Sequence, residues 1–336
     1  MSKKIAIIGG GIIGCLTAIR LKESGFEVLV VDKHEIGKES SWAGAGILFP
    51  LMPWNYRPKV YDLCILASSF YENFSKKLYD ITGIDPEYKK TGMTIIPPYE
   101  KDEVIKWVNS QNLPYEETFF RDSESIHLPS VAQIRSPRLM KSIKLFMEEI
   151  GINIIENMEL AEIDHKEGVV KKWPTKKNSF IEADYFVITS GAWTSNLKEN
   201  YKSKIYPVRG QMIQYKTSNL LIEKILYSND FYILQRKDRV IIAGSTIEEV
   251  GFDQTVNIDK KEALMRKAEE LIPDLTNVEV ENHWAGFRPG TKENIPFIQK
   301  DDDYENVFVN SGHFRYGLTM APQSAENLNE ILIKSI

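Results

Sequence analysis

Lys4-Ile5-Ala6-Ile7-Ile8-Gly9-Gly10-Gly11-Ile12-Ile13-Gly14 is the stretch from which the fold of this chain is read. Residues 5–8 are a short apolar run without alternation, as expected of a strand buried on both faces of a parallel sheet. The run enters a G-x-G-x-x-G spacing at Gly9, Gly11 and Gly14. Gly9 permits the tight turn out of the strand, Gly11 lets a pyrophosphate approach the backbone, and Gly14 lets the next helix pack closely on the sheet. That helix pattern (Ile12, Cys15, Leu16, Ile19) breaks at Gly25, and a second strand, Val28-Leu29-Val30-Val31, ends at Asp32. Unpaired N–H groups and the dipole at a helix start, here Ile12 and Ile13, hold phosphate charge. A carboxylate about 20 residues on accepts from ribose hydroxyls. A bare G-x-G-x-x-G is a weak signal. Strand, glycines, helix, strand and acid in that order read as a Rossmann-like dinucleotide-binding unit, ahead of a glycine turn in some other α/β unit.

The rest of the composition is consistent with an ordinary globular protein. At 336 residues the chain exceeds one usual hydrophobic core, so two domains are expected. Hydrophobic residues make up 43% and charged residues 26%, with mean hydropathy -0.29, which excludes a disordered or membrane-embedded chain. The net charge of -5 and the scattered Lys/Arg residues give no reason to expect nucleic acid. No run reaches the 18 apolar residues of a membrane span. The nucleotide fold starts at once, leaving no room for a signal peptide, so a cytoplasmic location is expected. Cys15 and Cys64 sit in apolar helical patterns and read as buried hydrophobes, not as a disulfide or metal site.

Along the chain, Ser40 and Ser41 suit a helix cap, and Ala43-Gly44-Ala45-Gly46 keeps side chains away from something pressed on the backbone, or packs a turn under a helix. Residues 60–78 carry apolar side chains at helical spacing and read as one helix. A strand near 93–96, a short helix at 101–108 and mostly irregular chain over 111–135 follow. Ser136-Pro137 opens a helix that Gly151 ends. Strands are expected at 152–155, 160–163, 169–173 and 185–189, the last running into Ser190-Gly191-Ala192-Trp193. Four strands between 206 and 243 have no helices between them, the mark of an antiparallel sheet. A helix opens at Asp259 with Glu262 as a capping box, and Pro273 stops it. The final strand–glycine–helix repeats the opening logic. The fold class is therefore α/β: a Rossmann-like domain (1–80, 136–204 and 285–336) interleaved with a second domain built on an antiparallel sheet with helices (81–135 and 205–284).

Seven blocks carry a likeness to a known family: residues 9–14, 41–46, 190–193, Pro207-Val208-Arg209-Gly210-Gln211, Ala243-Gly244-Ser245-Thr246, residues 284–292 from Trp284 through Arg288 to Lys292, and Gly312-His313-Phe314-Arg315-Tyr316-Gly317. Over essentially its whole length the chain resembles the D-amino-acid oxidase family of FAD enzymes, nearest to its glycine oxidase branch of bacterial thiamine biosynthesis. The resemblance implies noncovalent FAD with its ring between the two domains. It implies oxidative deamination of glycine, small D-amino acids or N-methylglycine by hydride transfer to flavin N5, with dioxygen as acceptor and hydrogen peroxide as product. A D-amino-acid or D-proline dehydrogenase using another acceptor is the alternative. A homotetramer or dimer is also implied.

By the same resemblance, Arg288 pairs with the substrate carboxylate, Tyr232 bonds the same group and Arg315 lines the pocket. The cofactor is expected along Gly9, Gly11, Ile12, Ile13, Gly14, Asp32, Lys33, Ser40, Ser41, Ala43, Gly44, Ala45, Gly46, Leu48, Leu160, Ser190, Gly191, Trp193, Arg288, His313, Phe314, Arg315, Tyr316, Gly317 and Leu318. The chemistry of the residues agrees. Arginine is a planar fork that fits a carboxylate and stays charged, and the flavin carries the electronic work. No Ser-His-Asp set, metal-ligand spacing or general base stands out. Each assignment has a structural competitor: an ion pair for Arg288 or Arg315, a satisfied strand tyrosine for Tyr232, a buried structural role for His313. Arg209 reads as ordering a turn or the domain junction. No cysteine follows residue 64, which excludes a cysteinyl-flavin link there.

Overall fold

The computed structural model describes residues 2–163 and 168–336. Its first layer is a sheet ordered Phe297–Lys300, Val307–Ser311, Tyr185–Ile188, Lys4–Ile8, Glu27–Val31, Asn153–Ile155. Every neighbouring pair is parallel except the first. Its strands lack polar alternation because both faces are covered. Ile5, Ile7, Val28 and Val30 join one core with the helices Ile12–Glu23, Ala67–Thr82, Ser136–Glu149 and Gly317–Ser335. Ala6, Ile8, Leu29 and Val31 join another, around Trp173 and Tyr201. The expected α/β class holds, with the Rossmann-like unit where the opening glycines put it.

The second layer is an eight-stranded sheet ordered Val280–Gly290, Tyr206–Lys216, Val240–Gly244, Phe231–Gln235, Ile225–Ser228, Met93–Ile95, Ser123–Leu128, Glu116–Phe120. It is antiparallel except where Ile225–Ser228 meets Met93–Ile95. One face packs on the helix Ile258–Leu271 through Ile213, Tyr215, Ile233 and Ile241. The other packs Met212, Leu234, Met93 and Ile95 in one core with Leu51, Val60, Leu63 and Met320. The strand Val280–Gly290 is continuous, so residue 285, where a domain boundary is expected, falls inside it.

Several local expectations give way. Residues 60–78 are not one helix: Pro58–Asp62 ends, and Ala67–Thr82 begins afresh. The apolar residues on either side of the break serve different cores: Val60, Leu63 and Cys64 pack under the second sheet, and Ala67, Tyr71, Phe74 and Leu78 pack with the helices of the first. Residues 111–135 are not irregular. They hold the hairpin Glu116–Phe120 with Ser123–Leu128, whose turn passes through left-handed Arg121. Its outer strand, Glu116-Glu117-Thr118-Phe119-Phe120, is an exposed sheet edge and carries no buried alternation to read. Ser40 and Ser41 lie within the short helix Ser40–Ala43 and cap neither its start nor each other; Ser41 instead takes the first N–H of the helix Ile12–Glu23, and Ser40 bonds the second sheet. Asp259 and Glu262 form no capping box, because Asn257 is the cap, accepting from the N–H groups of Asp259 and Lys260 at 2.8 and 3.3 Å. The expected meander holds a hairpin, Lys172–Pro174 with Phe180–Glu182, joined by a Leu160–Thr175 bridge, and its middle, residues 164–167, lies outside the described residues.

Candidate active site

The two sheets enclose one long cleft. The nucleotide end is built by the opening motif. Gly14 lies against the turn: a Cβ there would strike the Gly9 carbonyl and come within 2.6 Å of Thr189 Oγ1, so the glycine is what seats the helix on the strand. The helix starts at Gly11 with no side-chain cap and no acidic residue in its first turn. The Ile12 N–H donates to Ser41 Oγ at 2.9 Å, and among the described residues no acceptor takes the Ser41 proton, which an anion in the cleft can use. Asp32 accepts from the Gly10 and His34 N–H groups at 2.6 and 2.8 Å. Burial pushes its carboxyl up, and those two bonds oppose the rise. Lys33 lies 3.6 Å from the centre of the Trp193 ring.

The small-residue segment runs along the floor and is tied to the second sheet. Ser40 donates to the Phe287 carbonyl. Trp284 Nε1 donates to the Ala43 carbonyl at 3.1 Å, and buried Arg236 donates to the Ala45 carbonyl at 2.5 Å. Gly286 is bare because Ala43 packs on it, 2.6 Å from where a Cβ would stand.

At the other end the two sheets bring together Arg288, Tyr232 and Arg315. Arg288 is half-buried. Its Nη1 donates to the Thr246 carbonyl at 3.1 Å and its Nη2 to Ser245 Oγ at 2.6 Å. Among the described residues it has no carboxylate partner. Burial draws the guanidinium below the usual arginine range, Tyr232 works against that, and nearby Arg315 adds to it. The plane of the guanidinium covers Gly210, whose missing Cβ would sit 2.5 Å from Cζ. Arg315 is held by Asp230 at 2.9 Å, so it both lines the cleft and makes an ion pair. Burial disfavours its charge, yet Tyr316 and Asp230 outweigh burial and hold it above the usual range.

His313 is buried, with Nε2 2.9 Å from Ser324 Oγ. Burial pushes its imidazole down to about 3, so it is neutral. Tyr316 Oη lies 2.6 Å from Tyr56 Oη and 3.1 Å from the Leu51 carbonyl. The start of the helix Gly317–Ser335 opens on the cleft at Gly317 and Leu318.

Of the expected cofactor residues, all but two line this cleft. Gly14 acts beneath it, as a packing glycine. Leu48 is buried in the first core and faces away. Arg209 is not in the cleft: Glu248 at 2.8 Å and Asp253 at 2.9 Å hold it, so it orders the turn that follows the strand Val240–Gly244. Gly210, Met212 and Ser245 line the site unassigned by the sequence. Two of them stand in motif blocks, but nothing in those blocks says that an arginine from another strand lies over them. The donor set fits FAD: bare glycines, the helix start at Ile12–Ile13 and the Ser41 hydroxyl for a pyrophosphate, Asp32 for a ribose, and a wide floor of Ala43, Gly44, Ala45 and Gly46 for a flat ring system.

Comparison with known proteins agrees with this geometry. The chain is 33% identical over 347 residues to the glycine oxidase of Pseudomonas putida KT2440, covering 99% of this chain and 95% of that one. It is 27% identical over 354 residues to the bifunctional protein ThiO/ThiG of Nostoc sp. PCC 7120, where it spans 53% of the relative. The crystal structure of a glycine oxidase from Bacillus cereus ATCC 14579 has the same fold, with a TM-score of 0.89 at 22% identity over 100% of this chain and 96% of that one. The model of the D-amino-acid oxidase (DAO) family, described as FAD dependent oxidoreductase, matches residues 4–331, and to that family the chain belongs.

Proposed function

We propose that this protein oxidises glycine or another small amino acid, a small D-amino acid or N-methylglycine included. Bound FAD supplies the hydride acceptor, N5, and dioxygen completes the turnover, giving imine and then 2-oxo acid, ammonia or amine, and hydrogen peroxide. The supporting observation is Arg288: a cation drawn out of water on the cleft wall, with neutral partners and no carboxylate among the described residues. A substrate carboxylate is the counter-charge such a group lacks, and a charged pair of this kind is strong and oriented.

Tyr232 stands beside Arg288 and offers the same carboxylate a phenol hydrogen bond. With the acid end held, the substrate's Cα faces the ring site, and orientation supplies much of the rate. No side chain has to carry a proton at Cα: His313 is neutral and bound to Ser324, and the amine is deprotonated before transfer. The resemblance alone supports a place in thiamine (thiazole) biosynthesis.

A peroxide-coupled assay of the purified flavoprotein across glycine, sarcosine, D-alanine, D-proline and D-aspartate tests the reading. Peroxide release with one or more of the small substrates is expected. A flavin-loaded protein that neither releases peroxide nor has its flavin reduced by any of them contradicts it.

A further inference from the structure

We infer that Ser245 is a second recognition group for the substrate carboxylate, acting beside Arg288. The inference rests on the reading of Arg288 as the carboxylate anchor.

Ser245 lines the cleft. It accepts from Arg288 Nη2 at 2.6 Å. A hydroxyl has one proton and two lone pairs, and among the described residues no acceptor takes that proton. The Arg288 bond turns a lone pair towards the guanidinium, so the proton is left to point elsewhere, and the cleft that Ser245 lines is where an acceptor can stand. One side chain therefore does two things: it holds one arm of the guanidinium in place and presents an O–H to the same anion.

The segment that carries Ser245 is itself fixed. Arg209 and Glu248 exchange backbone hydrogen bonds of 2.9 and 3.0 Å. The Glu248 carboxylate accepts from Arg209 Nη2 at 2.8 Å, Gln211 Nε2 at 2.9 Å and Thr246 Oγ1 at 2.6 Å. Burial tends to raise the Glu248 carboxyl, and these donors outweigh it, so it stays ionised. Thr246 Oγ1 is thereby committed, whereas the neighbouring Ser245 is left with its proton to give. The Thr246 carbonyl takes the other arm of Arg288. Residues 245–248 thus form a bracket clamped to the strand Tyr206–Lys216, and Ser245 is its ligand-facing tip.

The test titrates flavin-loaded protein with acetate, a carboxylate without an amine, and follows the shift in flavin absorbance. Ser245→Ala removes a hydrogen bond to a charged group, so acetate is expected to bind roughly ten- to hundredfold more weakly. With the preferred substrate, KM should rise by a similar factor and kcat change little, because the contact is made equally before and during the reaction. Ser245→Cys keeps the side-chain shape with a weak donor and should show the same fall. Wild-type acetate affinity in either flavin-loaded variant overturns the assignment, as does a variant in which kcat falls and acetate affinity does not. Arg288→Lys is measured in parallel. If that change leaves acetate binding intact, the carboxylate reading itself fails; if only the Ser245 variants do, that reading stands and this inference falls.

Discussion

Arg288 and His313 are both ionisable side chains drawn out of water on the cleft, and they meet burial in opposite ways. The guanidinium keeps its charge on neutral partners, the Thr246 carbonyl and the Ser245 hydroxyl; the imidazole gives its charge up. The His313 pKa of about 3 lies below its unfolded value of about 6.5. Between the two, the unfolded chain binds a proton that the folded chain refuses, so stability falls as pH drops through this window and is fully present above it. Unfolding followed from about pH 7 down to about pH 4 should therefore decline more steeply in the wild-type protein than in His313→Gln. At neutral pH the same variant should leave the shape of the kcat/KM profile unchanged. A limb of the profile that vanishes with His313 would show that it carries a proton after all.

The site's precision comes from strand pairing. Register sets Val208 opposite Arg288 and Gly210 opposite Gly286, which lets the guanidinium lie over one glycine and Ala43 over the other. Gly210→Ala should displace the guanidinium and raise KM for the amino acid more than tenfold, with flavin still bound. Unchanged kinetics would mean that the guanidinium does not need that surface. The opening strand, glycines, helix and Asp32 were legible in the sequence because each is a local pattern with a single physical explanation. Gly210 was not, since its reason to be glycine lies on a strand nearly 80 residues away. The edge hairpin Glu116–Phe120 with Ser123–Leu128 was illegible for another cause: its outer strand buries no residue fully and its inner strand buries four in a row, so neither carries a clean period of two. Likewise, Leu48 looks like part of the small-residue segment that follows Gly46, but the pleat turns it to the core.

Across the molecule, the cleft exists because two sheets with different owners of the chain are tied at a few polar points. Arg236 is the most buried of these. It donates to the Gln133 side chain at 2.6 Å and to the Ala45 carbonyl at 2.5 Å, joining the second sheet to the cleft floor, and burial lowers its pKa to about 10. Arg236→Ala should release the floor and weaken flavin binding about tenfold or more, given ~1.5–3 kcal/mol for a charged hydrogen bond. Equilibrium flavin loading of the apoprotein measures this, and unaltered affinity would assign Arg236 to packing alone. Among the described residues no helix is long and apolar enough to cross a membrane.

The proposed reaction depends on the Arg288 charge meeting a substrate carboxylate in front of the ring. Anaerobic mixing of the flavin-loaded protein with increasing glycine, or with the small amino acid the assay selects, reads that meeting directly as loss of flavin absorbance. In the wild-type protein the bleaching should saturate. In Arg288→Ala, with flavin bound as before, the concentration needed should rise by the equivalent of roughly 2–5 kcal/mol. Equal half-saturation in the two proteins, or no bleaching in either with any small amino acid, would contradict it.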